Sequence, residues 1–274
     1  MSTSYNPERV AIIGAGKIGE AIIEATLATK FYKASQITVT ARSQKRLSYL
    51  TETFGVDTAS NIDAVKTADV VILAVKPQLA RKVITEITPG LNSNTLLISV
   101  MAGITLAQID NWTGSVCPVV RAMPNTPLRI RKGMTAICGS VSAQSHHTGF
   151  AEAMFSTMGR TLVMDEKLFD AVTGLSASGP AFIYIMIEAL AEGGVKAGIP
   201  RHLATELAAQ ACLGSASMVL ETGKHPAMLK DEVTTPAGCT IDGILKLEEG
   251  GIRVTLIKAV EEAAIKAKAL GQPD

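Results

Sequence analysis

Along the first half of the chain, short uninterrupted apolar runs alternate with segments in which apolar residues recur every three or four positions. A short apolar run between turn residues predicts a buried strand, and the three-to-four spacing predicts a helix with one apolar face. This alternation is typical of a mostly parallel sheet covered by helices. The predicted strands are 10–13, 37–41, 70–75, 96–100, 119–122, 134–138 and 161–164, and the predicted helices are 18–28, 44–54, 79–86 and 151–158.

The pattern changes after about residue 165, where nearly every segment has helical spacing. Residues 182–194 are apolar on all sides except at Glu188 and Glu192, which is typical of a helix packed between other helices or between subunits. Residues 201–221 and 252–270 are rich in Ala and amphipathic, so they are candidates for dimer contacts, with packing inside one chain as the alternative. The sequence therefore predicts an α/β domain over 1–165 and an all-α domain over 166–274.

A glycine-rich turn joins the first predicted strand to the first predicted helix, with the sequence Gly14-Ala15-Gly16-Lys17-Ile18-Gly19. At this spacing, Gly14 permits a sharp turn, Gly16 leaves room for a pyrophosphate and Gly19 lets the helix pack closely on the strand. The unpaired N–H groups of the helix N-terminus attract phosphate. The turn therefore predicts a dinucleotide site in a doubly wound, Rossmann-type fold, and an ordinary strand-to-helix turn is the alternative.

The end of the second predicted strand indicates which dinucleotide is bound. In this position an acidic residue binds the ribose 2′-hydroxyl of NAD, whereas an Arg accommodates the 2′-phosphate of NADP. The chain has Arg42 and Ser43 there, followed by Lys45 and Arg46, and no acidic residue. We therefore expect NADP(H) as the cofactor, with NAD(H) as a second option and a solvated basic helix start as the alternative explanation.

Three further segments end predicted strands at the same edge of the sheet, where ligands of open α/β sheets bind. They are 74–77, which includes Lys76, 100–103, and 121–127. Their small residues allow a nicotinamide to approach the backbone, and two prolines stiffen the last of them. Lys76 is explained as well by solvation as by a cofactor contact.

Composition and charge exclude several classes of function. The 26 basic and 25 acidic residues are interspersed and give a net charge of +1, so no nucleic-acid or anionic-membrane surface is indicated. The four cysteines lie far apart and form no metal or redox motif, and Cys239 is expected to be a buried thiol rather than a nucleophile. His146 and His147 lack metal-ligating neighbours and are expected in a solvated loop. The polar start and the shortness of the apolar runs predict a soluble cytoplasmic protein.

A polar stretch, 230–243, lies between two apolar helical segments. Thr234, Thr235 and Thr240 supply hydroxyl groups, and Gly238 lets backbone N–H groups turn toward a ligand, so the stretch suits a small carboxylate. Composition alone favours capping of the next helix by Thr235 or Thr240. The two roles are compatible because a helix N-terminus is itself an anion site.

These motifs together resemble the pyrroline-5-carboxylate reductase family over nearly the whole chain. The most specific match is the order of Leu, Val, Thr, Gly and Glu residues within 226–248; the Gly-rich turn is shared with many dehydrogenases. The resemblance implies NADPH-dependent reduction of 1-pyrroline-5-carboxylate to L-proline, a homodimer with interlocked helical domains, and in many members a ring of dimers. The other matching segments are 14–16, 74–77, 123–127, 169–176 and 178–180.

The resemblance also implies the site residues. Thr240 is the implied catalytic residue, close to the ring nitrogen of the substrate, and Glu166 matches a position near the nicotinamide. Thr235 and Ala237 stand where the family often has Ser and Gly, which narrows the carboxylate pocket, and Ala177 stands where Gly is usual. The implied substrate-binding residues are Thr235, Ala237, Gly238, Cys239 and Thr240, and the implied cofactor residues are Ile13, Gly14, Ala15, Gly16, Lys17, Ile18, Asn61, Ala74, Lys76, Ala102 and Glu166.

A Thr hydroxyl is a weak acid, so we expect Thr240 to orient the substrate while the proton comes with the iminium or from water. Two alternatives remain at this point. One is a related NADP-dependent two-domain reductase for another cyclic imine, a hydroxy acid or a deazaflavin, although no Lys or His stands where a hydroxy acid requires a base. The other is a non-catalytic NADP-binding assembly protein.

Overall fold

The structure is a computed structural model that describes Tyr5 and residues 7–271. The strands are β1 (Val10–Ile13), β2 (Ile37–Thr40), β3 (Asp57–Thr58), β4 (Val70–Leu73), β5 (Leu96–Ser99), β6 (Val119–Pro124), β7 (Gly133–Gly139) and β8 (Gly159–Val163). The α-helices are α1 (Lys17–Ala28), α2 (Gln44–Phe54), α3 (Asn61–Lys66), α4 (Ala80–Ile87), α5 (Leu106–Thr113), α6 (Ser145–Ser156), α7 (Phe169–Val172), α8 (Gly179–Lys196), α9 (Arg201–Thr222), α10 (Pro226–Glu232), α11 (Cys239–Glu249) and α12 (Ile252–Leu270).

All eight strands form one sheet in the order β3-β2-β1-β4-β5-β6-β7-β8. The first six strands in this order pair in parallel, β6 and β7 pair antiparallel, and β7 and β8 are again parallel to each other. Strand order reverses between β1 and β4, where Ile13 pairs with both Thr40 and Leu73. The prediction of a doubly wound, mostly parallel sheet is confirmed, and the crevice of such a sheet lies beyond this reversal.

The central strands are buried on both faces, as expected of a parallel sheet covered by helices. Alternate residues enter two separate apolar layers: Ile12 and Ile72 pack on one face, and Ile13 and Leu73 pack on the other. These side chains are at most 1% exposed. Two-sided burial explains why the strands read as continuous apolar runs in the sequence.

The prediction missed three short elements and misplaced some boundaries. β3, α3 and α5 were not predicted, and α6 begins six residues before the predicted helix, at Ser145 instead of residue 151. β2 and β4 end at Thr40 and Leu73, before their predicted ends at 41 and 75. After both strands, the chain leaves the sheet one or two residues earlier than the apolar run ends.

The described residues divide into two compact units, and α12 contributes to both. One unit extends to Ser178 and resumes at Glu261, and the other is Gly179–Val260. In the first unit, the end of α12 lies against the turn after β5. The Gln108 side-chain amide donates a 2.6 Å hydrogen bond to the Gly271 carbonyl, and a Cβ atom on Gly103 would lie 2.8 Å from the Gly271 nitrogen.

The second unit is helical and leaves much apolar surface exposed. α8 packs against α9, but only Ala191, Ala204 and Ala208 form its buried core. Large side chains such as Tyr184 and Leu207 are about 60% exposed, at 61% and 59%. Contrary to the expectation of short apolar runs, the helical stretches Glu166–Lys196 and Arg201–Thr222 are long and apolar enough, by length and composition, to cross a membrane. Long apolar helices with exposed apolar surface are also found where a second subunit covers them.

Candidate active site

Backbone conformation and close packing explain two glycines of the turn after β1. Gly14 has φ +90°, and a Cβ atom there would lie 2.5 Å from Val75 Cγ1. A Cβ atom on Gly19 would lie 2.8 Å from the Gly14 carbonyl oxygen. The N–H groups of Gly14 and Ala15 both donate to the Thr40 carbonyl, at 3.2 and 2.9 Å. The turn is therefore fixed against β2 and β4 before any ligand binds.

Gly16 is different, because no described residue occupies the space that a side chain at this position would fill. Its φ is −75°, and a Cβ atom there would meet no heavy atom of the described residues within 4 Å. It is the N-cap residue of α1 and makes no side-chain capping bond. The first N–H groups of α1 therefore face open space, which suits a phosphate.

A cavity of about 610 Å³ opens beside this turn. Its size and position beyond the carboxyl ends of β1, β2 and β4 suit the nucleotide part of a cofactor. It is lined by Gly14, Ala15, Gly16, Thr40, Ala41, Arg42, Ser43, Arg46, Asn61, Ala74, Val75, Lys76, Leu79, Lys82, Val83 and Glu86.

Eight of the predicted cofactor residues line this cavity, and five do not. Ile13 is fully buried in β1, Lys17 and Ile18 lie in the first turn of α1, and Ala102 is half-buried in the turn after β5. Glu166 belongs to a separate cluster beside α5. The eight lining residues are Gly14, Ala15, Gly16, Arg42, Ser43, Asn61, Ala74 and Lys76.

The two arginines after β2 have different surroundings. Arg46 donates to the Ala15 carbonyl at 2.9 Å and pairs with the buried carboxylate of Glu20. Burial alone would raise the pKa of Glu20, but the hydrogen bond from Arg46 and the charges of Arg46 and Arg129 lower it below its ordinary value. Arg42 is exposed and has no carboxylate within salt-bridge distance among the described residues. Arg46 therefore braces the glycine turn, and Arg42 is the arginine available to a ligand.

Sequence reasoning missed the contribution of α4 to the cavity. Lys82 and Glu86 lie one turn apart on α4 and both line it. The Asn61 amide donates to Glu86 Oε1 at 3.1 Å, which orients the predicted residue Asn61. No local motif marks Lys82 or Glu86, since their position depends on how α4 packs.

A second polar cluster surrounds Glu166. Its Oε1 accepts hydrogen bonds from the Leu106 N–H at 2.7 Å and from Arg121 Nη1 at 2.9 Å. The Arg121 side chain is 2% exposed, and its guanidinium lies 4.8 Å from the centre of the Phe169 ring. Sequence reasoning missed Arg121, although a charged residue inside the apolar strand β6 was a signal.

The predicted polar stretch 230–243 is a shorter loop between α10 and α11. The Gly238 N–H donates to the Thr235 carbonyl at 3.0 Å and closes a turn in which Ala237 has φ +59°. Gly238 is the N-cap of α11, and no side chain of the described residues caps the helix, so the prediction that Thr235 or Thr240 caps it was wrong. A Cβ atom on Gly238 would lie 2.5 Å from Thr235 Oγ1, which explains the glycine.

The predicted substrate residues thus lie around an uncapped helix N-terminus. Thr235, Ala237, Gly238, Cys239 and Thr240 form the turn and the first residues of α11. The open N–H groups of α11 and the half-buried Thr240 hydroxyl suit a small carboxylate with a polar neighbour. All five residues belong to the second unit.

Two expectations about single residues were wrong. Cys239 is exposed instead of buried. His147 is buried in α6 instead of solvated in a loop, and its ring contacts Tyr5 edge-on at 5.2 Å. Burial and the neighbouring His146 lower the pKa of His147. The described residues contain no group of His, Cys, Asp and Glu that could hold a metal ion.

Comparison with known proteins gives consistent matches over the chain. Residues 166–270 match the family model described as pyrroline-5-carboxylate reductase dimerisation, and residues 9–103 match that of NADP oxidoreductase, coenzyme F420-dependent. The pyrroline-5-carboxylate reductase of Arabidopsis thaliana is 43% identical over 96% of both chains. That of Escherichia coli is 37% identical over 97% of this chain and 99% of its own.

A solved structure agrees with these matches. The pyrroline carboxylate reductase of Plasmodium falciparum with NADP bound superposes with a TM-score of 0.89. It is 30% identical and covers 96% of this chain and 98% of its own.

Proposed function

The chain belongs to the pyrroline-5-carboxylate reductase family, and from this premise we propose how its residues reduce 1-pyrroline-5-carboxylate to L-proline. It is an oxidoreductase that uses NADP(H). When bound, NADPH supplies the hydride that reduces the imine carbon. The protein contributes binding, orientation and the exclusion of water.

The cofactor phosphates bind at the glycine turn and in the cavity beside it. The support is the open space at Gly16, the uncapped N-terminus of α1 and the unpaired, exposed side chain of Arg42 among the described residues. Arg42 and Ser43 hold the 2′-phosphate, because a guanidinium binds phosphate through two parallel hydrogen bonds. Ala102 and Glu166, on the β5 side of the sheet, would then hold the nicotinamide end of the cofactor.

The substrate carboxylate binds at the N-terminus of α11. The observation that carries this step is that no side chain in the described part of the chain caps α11, which leaves its first N–H groups for a ligand. The Thr240 hydroxyl hydrogen-bonds the ring nitrogen and orients the imine. Thr240 does not act as the acid, because the iminium form already carries its proton.

A homodimer completes the site. The family match covers a dimerisation domain, and the second unit exposes large apolar side chains, including Tyr184, Leu207 and Ile257. A partner subunit buries these surfaces and supplies the loop 233–238 to the cofactor site. We extend the proposal to a ring of dimers, to a cytoplasmic location, and to the domain division 1–165 and 166–274.

The direct test is oxidation of NADPH by the purified protein with 1-pyrroline-5-carboxylate, followed by absorbance. Thr240→Ala should lower kcat/KM roughly 10- to 100-fold, the loss of one hydrogen bond to a charged substrate, without changing the Kd for NADPH. The control Thr205→Ala removes a hydroxyl that bonds only its own helix, to the Arg201 carbonyl. Equal activity in the Thr240 and Thr205 variants would contradict the role of Thr240 in the site. If the wild type does not oxidise NADPH, the alternative of a non-catalytic NADP-binding protein is favoured.

A further inference from the structure

We propose that Arg121 is a positioning residue of the reductase, which fixes the Glu166 carboxylate for contact with the substrate. The inference rests on the proposed function, since that function places the nicotinamide beside Glu166 and hydride transfer requires the imine to meet the nicotinamide. It adds a residue from the middle of β6 that contacts neither ligand.

The contacts around Arg121 are few and specific. Only Nη1 donates within the described residues, to Glu166 Oε1 at 2.9 Å, while Nε and Nη2 are buried and have no hydrogen-bond partner there. Asp170 Oδ1 lies 4.0 Å from Nη2, which is beyond hydrogen-bond distance. The Phe169 ring lies under the guanidinium at 4.8 Å and restricts its orientation. The side chain is therefore aimed at a single carboxylate oxygen.

This arrangement is unfavourable as a stabilising device. A buried ion pair is often no more stable than apolar residues of the same volume, and each unsatisfied buried donor costs about 1–3 kcal/mol. Arg121 carries two such nitrogens among the described residues. What the pair does secure is the position of the Glu166 carboxylate.

Glu166 is fixed from two sides and still accessible. The same oxygen that binds Arg121 accepts the N–H of Leu106, the first residue of α5, at 2.7 Å. The second oxygen accepts no hydrogen bond from the described residues, and the side chain is 28% exposed. One oxygen therefore anchors the carboxylate and the other is free for a ligand.

A fixed anion at this place favours hydride transfer to the imine. The iminium cation accepts hydride better than the neutral imine, and a carboxylate held beside the ring favours the protonated form of the bound imine. A carboxylate that rotates away from the ring loses this effect. Arg121 thus acts on the substrate only through Glu166.

The test is a double-mutant cycle on the full-length enzyme, with Arg121→Met and Arg121→Lys each made in the wild type and in Glu166→Gln. In the wild type, Arg121→Met should lower kcat/KM for 1-pyrroline-5-carboxylate at least about tenfold, with Arg121→Lys losing less and NADPH binding within about twofold. In Glu166→Gln, either change should cost less than about twofold, because no carboxylate remains to be positioned. The control Asp170→Asn removes only the contact at 4.0 Å and should leave kcat/KM unchanged.

The outcomes distinguish failure of the inference about Arg121 from failure of the proposed reaction. An equal loss of kcat/KM in both backgrounds shows that Arg121 acts independently of Glu166 and overturns the inference. If Arg121→Met does not fold, Arg121→Lys decides by the same comparison, since it retains the charge. Unchanged kcat/KM in Glu166→Gln alone overturns the inference together with the placement of Glu166 in the proposed function, while NADPH oxidation by the wild type leaves the proposed reaction intact.

Discussion

Gly14 and Gly16 lie two residues apart, yet their replacement by alanine should have different effects: the first should lower stability and the second should weaken cofactor binding. In Gly14→Ala, the positive φ costs about 1–2 kcal/mol, and the Cβ atom 2.5 Å from Val75 Cγ1 adds about 1–3 kcal/mol of overpacking. The sum of about 2–5 kcal/mol lowers Tm by roughly 4–20 °C at about 2–4 °C per kcal/mol. Gly14→Ala is therefore a folding defect.

Gly16→Ala should fold normally and bind cofactor poorly. Its φ of −75° suits alanine and its Cβ atom meets no described residue within 4 Å, so only the N-cap preference is lost, about 1 kcal/mol or less. The methyl group occupies the space through which the pyrophosphate approaches the backbone. Loss of one charged hydrogen bond, about 1.5–3 kcal/mol, weakens NADPH binding roughly 10- to 150-fold.

Two measurements on each variant test this contrast: thermal unfolding without cofactor, at one protein concentration, and calorimetric titration with NADPH. The expected result is a low Tm for Gly14→Ala, and a nearly normal Tm with a raised Kd for Gly16→Ala. If Gly16→Ala binds NADPH as tightly as the wild type, the pyrophosphate does not lie against Gly16 and the placement of the cofactor is refuted.

Three other predictions concern separate parts of the chain. Arg42→Asp should raise KM for NADPH at least about tenfold and KM for NADH much less, because only NADPH carries the 2′-phosphate; an unaltered preference contradicts the role of Arg42. Ala237→Gly should raise Tm by about 1–3 °C, since relief of the left-handed strain at φ +59° exceeds the added entropy of the unfolded chain; a lower Tm contradicts this balance. The lowered pKa of His147 implies full stability above its ordinary value of 6.5 and a loss as the pH falls below it, because burial and the neighbouring His146 disfavour the charged imidazole in the folded protein. In urea unfolding, the free energy of unfolding of His147→Gln should depend less on pH than that of the wild type. Equal pH dependence in the two proteins excludes His147 as the cause.

The glycine turn was predictable because its requirements are local. Gly14 needs a positive φ, and Gly19 needs to approach the Gly14 carbonyl, so both residues are set within one strand-to-helix connection. Such fixed spacing is visible in a sequence. The same holds for the buried strands, whose two-sided burial produces continuous apolar runs.

The contribution of α4 to the cavity was not predictable, because it depends on how a separate helix packs. Lys82 and Glu86 both come from α4. The burial of single residues is equally hard to predict from sequence. Cys239 was expected to be buried and His147 exposed, and both expectations were wrong, since burial depends on which face of each helix packs inward.

Short elements escaped prediction for a related reason. α3 has 6 residues and β3 has 2, too few for a periodic pattern. α5 has 8 residues, although it carries a recognisable start in Thr105 and Gln108, whose side chains cap each other's backbone. Helices of this length depend on tertiary packing for most of their stability.

The contact between Gly271 and the turn after β5 sets an order of events during synthesis. The first unit is interrupted by the second and resumes only at Glu261, so the helical unit is in effect an insertion. Gln108 and its partner Gly271 are 163 residues apart in the chain. At about 5–20 residues per second, a ribosome needs roughly 8–30 s to deliver the second after the first. The glycine turn needs no residue beyond Val75, whereas the turn that carries Ala102 gains its contact with Gly271 only after the whole helical unit has been synthesised.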